Sequence, residues 1–144
     1  MATAITSVRG TAQHKQKMYV HDPADATVAT KIAWLPMKGY EWLLAAVALV
    51  SGTGLLTVKL FAAEDSSGTN ATEIKSHADP TVADAAGDVV YIECTAEQVK
   101  EAGANMTHVA VEVDCDASSD IAAVSYLFGG AHRKFAGQTA DQIA

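Results

Sequence analysis

Three carboxylates crowd the stretch "DCDASSD", where Asp114, Asp116 and Asp120 lie close together in the chain. Oxygen donors gathered on one turn are what a hard cation such as calcium takes. The spacing departs from the D-x-D-x-D-G pattern with glutamate at the twelfth position. The stretch therefore reads as an ordinary turn, with a calcium site as the alternative. His14, His21, His77, His108 and His132 never occur as HxH or HExxH, so they would form a metal site only by converging in the fold. No metal site is expected. Cys94 precedes Thr95 at a predicted helix start, where the positive end of the helix would lower a thiol pKa. It also alternates with Val90 and Ile92, which makes it a packing residue. Cys94 and Cys115 have no CxxC neighbour and read as two free, packed thiols, with a bridge between them as the alternative. There is no G-x-S-x-G, and "SGTG" (51–54) lacks the Lys-Ser/Thr ending of a phosphate loop. No catalytic residue, no cofactor and no enzymatic activity are expected.

Aromatic side chains offer a different chemistry. Tyr19, Trp34, Tyr40 and Trp42 gather in the N-terminal third, and Phe135 sits near the other end. Core packing is their default role, and protein interfaces and sugar platforms are the alternatives. Trp34, Tyr40, Trp42 and Phe135 are the candidate interface residues.

The elements that must hold these residues follow from periodicity. From Trp42 to Ala63 the chain carries one charge, Lys59, but "SGTG" interrupts the run, so neither half is long enough for a membrane helix. "LLTVKLFA" alternates with the period of a half-buried strand. The two runs, joined at Gly52 and Gly54, are expected to form a β-hairpin. "MYVHD" and "TKIAWLP" read as short strands, and Pro23 and Pro36 confine them to a sheet edge. "EDSSGTN" is a loop tip from which "ATEIKSH" returns as a strand. "DVVYIEC" alternates Val90, Ile92 and Cys94 against Val89, Tyr91 and Glu93. In "TAEQVKEAGA", Thr95 is a predicted N-cap, Gln98 its capping-box partner and Gly103 the stop of a short helix. "THVAVEVD" places Val109, Val111 and Val113 on one face, and "IAAVSYLF" places Ala122, Val124, Tyr126 and Phe128 on one face. These two are expected to close as a hairpin.

The fold class is thus mainly β: an antiparallel β-sandwich or barrel-like core with one short α-helix and extended N- and C-terminal arms. The boundaries are an N-terminal arm over 1–26, one β-rich domain over 27–128 and a C-terminal arm over 129–144. At 144 residues, 49% hydrophobic and 19% charged, the chain can bury a core. Its net charge of −7 offers no basic surface to nucleic acid or anionic lipid, so neither is an expected partner. The first 25 residues lack the continuous apolar segment of a secretory signal.

Three stretches carry a family likeness: "MKGYEWLLAAVALVSGTGLLTVKLFAAEDSSGTNATEIK", "GDVVYIECTAEQV" and "THVAVEVDCDASSDIAAVSYLFGGAHRK". Together they cover somewhat over half the chain. In their order of strand, Gly turn, strand, polar tip with Lys75, and "CTAEQ" helix start, the chain resembles small virion proteins of tailed bacteriophages of the capsid cement or decoration type. The resemblance implies a non-enzymatic structural protein on the outer surface of an icosahedral capsid. It implies the major capsid protein and further copies of this chain as partners, as a homotrimer, and a place in the virion after synthesis in the host cytoplasm. It brings no catalytic residue. A neck, tail or fibre component and a carbohydrate-binding β module are the alternatives. The last would need Trp34 or Trp42 exposed and near each other.

Overall fold

The computed structural model describes residues 15–21, 29–77 and 85–130. The N-terminal residues 1–14 and the C-terminal residues 131–144, with Phe135, lie outside the described residues. Among the described residues, eight strands and one helix follow in the order β1 (Lys15–His21), β2 (Thr30–Pro36), β3 (Trp42–Ser51), β4 (Leu55–Ala63), β5 (Thr72–Ser76), β6 (Val89–Thr95), α1 (Ala96–Glu101), β7 (His108–Cys115) and β8 (Ile121–Gly129). β1 lies within the stretch expected to be an N-terminal arm, and it is a hydrogen-bonded strand along β8.

Two four-stranded antiparallel sheets face each other. Sheet A has the order β1-β8-β3-β6 and sheet B the order β2-β7-β4-β5. The pairs β1–β8, β2–β7, β3–β6 and β4–β5 are nested, as if one long ribbon bent at β4–β5 had been wrapped across the core. The further pairs β3–β8 and β4–β7 close each sheet. This connectivity is that of a jelly roll. β1 and β2 take edge positions, as the flanking prolines required.

The core lies between the sheets and is lined by the faces that alternation selected. Leu43, Ala45, Val47 and Leu49 of β3, Val58 and Leu60 of β4, and Val90, Ile92 and Cys94 of β6 are all buried. So are Val109, Val111 and Val113 of β7 and Ala122, Val124, Tyr126 and Phe128 of β8. Helix α1 starts as the capping box required: the Thr95 hydroxyl accepts the Gln98 N–H at 3.2 Å, and the Gln98 side-chain oxygen accepts the Thr95 N–H at 3.0 Å.

Both long hairpins expected from sequence are absent. β3 and β4 lie in different sheets, and so do β7 and β8, so 52–54 and 116–120 are arches that cross the sandwich. The physical reason lies in the partners. β3 finds β8 and β6 beside it, β4 finds β7 and β5, and both runs bury a full apolar face toward the common core. Alternation is identical in a hairpin and in an arch, because only the sheet to which the second strand belongs differs. The hairpin that does form between consecutive strands is β4–β5. At its tip, Asp65 accepts the Thr69 hydroxyl at 2.7 Å and the Thr69 and Ser67 N–H groups at 3.1 and 2.9 Å. These bonds, the Thr69 hydroxyl first, hold its carboxyl below the usual range.

Candidate functional site

The residues singled out for chemistry separate into three groups. The acidic stretch is structural. Asp120 is fully buried, and its carboxylate accepts the Thr53 N–H at 2.9 Å and the Ala117 N–H at 3.0 Å, so it ties one inter-sheet arch to the other. Asp116 reaches the Thr53 hydroxyl at 3.3 Å. Asp114 points from β7 to the outer side of sheet B, with one carboxylate oxygen buried and unpartnered. Burial raises its pKa, and Glu112 adds to the shift. The three carboxylates have three separate roles, and among the described residues no group of three or more His, Cys, Asp or Glu side chains is placed to hold a metal ion.

The thiols are both free and buried, one in each sheet. Burial pushes Cys94 up to about 12, with Lys75 opposing and Glu93 adding, and pushes Cys115 up to about 11. A helix start that would have lowered the Cys94 pKa is outweighed because the side chain points into the core with Val90 and Ile92. Next to it a cleft of about 250 Å³ opens between the β6 edge, β5 and α1, walled by Trp42, Lys75, Glu93, Cys94, Thr95 and Gln98. Thr95 and Gln98 are committed to the capping box, and the cleft presents one cation and one anion rather than a nucleophile with its base.

The aromatic candidates are spread over both sheets. Tyr40 is buried against Phe128, with ring centroids 5.4 Å apart, and burial raises its pKa. Trp42, half-buried on β3, lies over Gly129 so closely that a Cβ there would come within 1.9 Å of the ring. Trp34, half-buried on β2, lies against Gly68 of the β4–β5 tip in the same way. Both tryptophans act as lids over glycines, on different sheets.

The outer faces of the sheets were not distinguished at the sequence level, and they differ sharply. Sheet B shows a laced, polar surface. Lys31 pairs with Glu112 at 2.7 Å and sits 4.2 Å from the Phe61 ring centre, and Lys59 pairs with Glu73 at 3.1 Å. Sheet A presents three cross-strand rows: Gln16–Leu127–Leu44–Glu93, Met18–Ser125–Ala46–Tyr91 and Val20–Ala123–Ala48–Val89. Glu93 is the one charged side chain in those rows. The signal was present in β3, whose outward residues Trp42, Leu44, Ala46, Ala48 and Val50 are as apolar as its inward ones. No helix among the described residues is long and apolar enough to cross a membrane.

No protein-family model matches the chain, and no curated protein matches it in sequence. Among solved structures, it is similar to SPBc2 prophage-derived protein YomS, at 11% identity and a TM-score of 0.43, over 81% of this chain and 95% of that one. It is similar to a chain of Bacillus endospore appendages, described as disulfide-linked pili, at 11% identity and a TM-score of 0.41, over 81% and 86%. It is also similar to the STIV MCP, at 12% identity and a TM-score of 0.46, over 90% of this chain and 48% of that one.

Proposed function

We propose that this chain is a non-enzymatic virion structural protein, a cement or decoration subunit that binds the outer surface of an icosahedral phage capsid with the major capsid protein as its partner. The observation that carries the reading is the apolar outer face of sheet A on a chain of net charge −7. A sandwich that keeps one face laced with ion pairs and leaves the other apolar but for one carboxylate, Glu93, is built for assembly. The sequence resemblance supplies the setting. Jelly rolls occur in viral capsid domains as well as in lectins and cupins, so the fold is compatible with that setting without assigning it.

Attachment to the assembled shell stabilises the particle by mass action, and many copies of a modest contact add through multivalency. The carbohydrate reading needed an exposed pair of tryptophans. Trp34 and Trp42 instead cover glycines on separate sheets.

A density map of purified particles tests the proposal. The expected result is this jelly roll seated on the outside of the shell, together with lower heat resistance of particles stripped of it. Absence from the particle, or a position in the neck, tail or fibre, would overturn the cement reading.

A further inference from the structure

The cleft beside Cys94 lies between the edge strands β5 and β6, and two buried residues of the core, Leu43 and Cys94, form part of its wall. At about 250 Å³ it exceeds the roughly 150 Å³ that holds a benzene ring in a protein interior. It has room for one aromatic side chain.

The last described residues lie close to this cleft. Gly129 and Gly130 pass so near the start of β3 that a Cβ on them would come within 1.9 Å of Trp42 and 2.7 Å of Glu41, respectively. From there two backbone hydrogen bonds step across the sheet to the rim. The Glu41 N–H donates to the Gly129 carbonyl at 2.9 Å, and the Ala96 N–H donates to the Glu41 carbonyl at 2.8 Å. Ala96 opens α1, and Thr95 before it and Gln98 after it line the cleft. The end of β8 is thus two strand spacings, about 10 Å, from the end of β6.

We propose that the C-terminal segment of this chain crosses the start of β3 and docks the Phe135 ring into its own cleft, against Leu43 and Cys94, as a strap over the side of the sandwich between β5 and β6. Reach, residue type and charge select this occupant. Phe135 is five residues beyond Gly130, a length that spans up to about 17 Å when extended, so the ring reaches β6. Residues 1–14 contain no aromatic side chain and precede β1, which is one strand farther from the cleft than β8. His132, Arg133 and Lys134 come directly before Phe135, and the path to the cleft is acidic. It passes the Glu41 carboxylate, which lies against Gly130, then Glu97 in the first turn of α1, and ends at Glu93 in the cleft wall. Lys75, on the β5 wall, offers an aromatic ring its aliphatic stem and its ammonium. A docked strap keeps Phe135 from neighbouring subunits, unlike the arm and interface residue expected from the sequence. The contact lies within one chain and does not depend on the virion reading.

Maleimide labelling of the thiols in the full chain, without denaturant, tests this, because Cys94 lines the cleft and Cys115 lies in the other sheet. Phe135→Ala should speed labelling of Cys94 about tenfold or more and leave Cys115 within about twofold, since only the cleft opens. Phe135→Leu should retain most of the protection. No change at Cys94 in Phe135→Ala, or an equal acceleration of both thiols, would overturn the proposal. Nuclear Overhauser contacts between the Phe135 ring and the Leu43 methyls are the direct readout. In a mixture of isotope-labelled and unlabelled chains they should arise within one chain. Contacts that arise only between chains would give the cleft to a neighbour's Phe135 and refute the strap. Each of these outcomes leaves the presence of the chain on purified particles to be settled by its own experiment.

Discussion

Asp120 and Gly52 occupy each other's space: a Cβ at position 52 would lie 1.9 Å from the Asp120 Oδ1 that accepts the Thr53 N–H. Gly52 also has a φ of +121°, a backbone conformation that side chains rarely adopt. The two inter-sheet arches are thus joined through a buried carboxylate that fits because one of them bends at glycine. Asp120→Ala would leave the Thr53 and Ala117 N–H groups without their acceptor and should cost about 2–4 kcal/mol. Gly52→Ala should cost about 1–3 kcal/mol from backbone strain alone, with the clash added. The double variant should be less destabilised than the sum, because removing the carboxylate relieves the closest part of the clash and leaves the strain and the 2.8 Å approach to the Asp120 Cα. Urea midpoints of the four proteins check this, and strict additivity would refute the contact.

Tyr126 performs a second cross-sheet task. Its ring stands on β8 in sheet A, but its hydroxyl accepts the Val111 N–H at 2.9 Å and donates to the Ile32 carbonyl in sheet B. Ile32 and Val111 face each other in the β2–β7 register next to a bulge at which Ala33 takes a φ of 49°. The phenol therefore bridges two backbone groups at the point where the ladder is interrupted. Tyr126→Phe leaves both groups buried and unbridged, and should cost about 2–3 kcal/mol. Hydrogen exchange at the Val111 amide should accelerate by more than global destabilisation accounts for. An unchanged relative protection would mean that the strands close and pair directly.

Much of this was legible beforehand, and the limit is physical. Val109, Val111 and Val113 declare a buried face by alternation, and Thr95 with Gln98 declares a helix start, because each signal is local. The hairpins expected at Gly52 and between β7 and β8 turned out to be arches, since period two says which way a side chain points and not which sheet its strand joins. Asp120 looked like a turn residue, which it is. Its burial as a tie between arches depends on Thr53, 67 positions away. The apolar face of sheet A was written in β3 alone as Trp42, Leu44, Ala46 and Ala48, but its extent emerges only when β1, β8 and β6 come alongside.

Alkaline pH should weaken the fold through its thiols. Burial raises Cys94 from 9.0 to about 12 and Cys115 from 9.0 to about 11. The unfolded chain therefore releases these protons first. The stability they represent is complete below about pH 9 and is lost as pH rises through the folded values, at up to about 1.4 kcal/mol per pH unit for each group. Tyr126, raised by burial above its ordinary 10.0, adds to the loss at higher pH. Urea midpoints should be level up to about pH 8 and fall thereafter. In Cys94→Ala, whatever its starting stability, the fall between pH 9 and 11 should be shallower. An equal slope would mean that the thiol does not titrate with unfolding.

Asp114 works in the opposite sense to Asp120. It lies in the same strand as Glu112, its Oδ1 is buried without a partner, and burial raises its pKa above the ordinary 3.8, with Glu112 adding to the shift. A carboxyl that is harder to ionise in the folded chain favours folding when protonated. That stability is present below the unfolded pKa and is lost as pH rises through the folded one, so at neutral pH the charged Asp114 is a liability. Asp114→Asn removes the charge but retains the shape, and should stabilise the protein at pH 7 by up to about 0.5 kcal/mol, since solvent screens much of the charge. The advantage should shrink as pH falls toward 4, where the native carboxyl becomes neutral. A urea-midpoint difference that stays constant from pH 7 to pH 4 would place its origin in packing and not in the carboxylate charge.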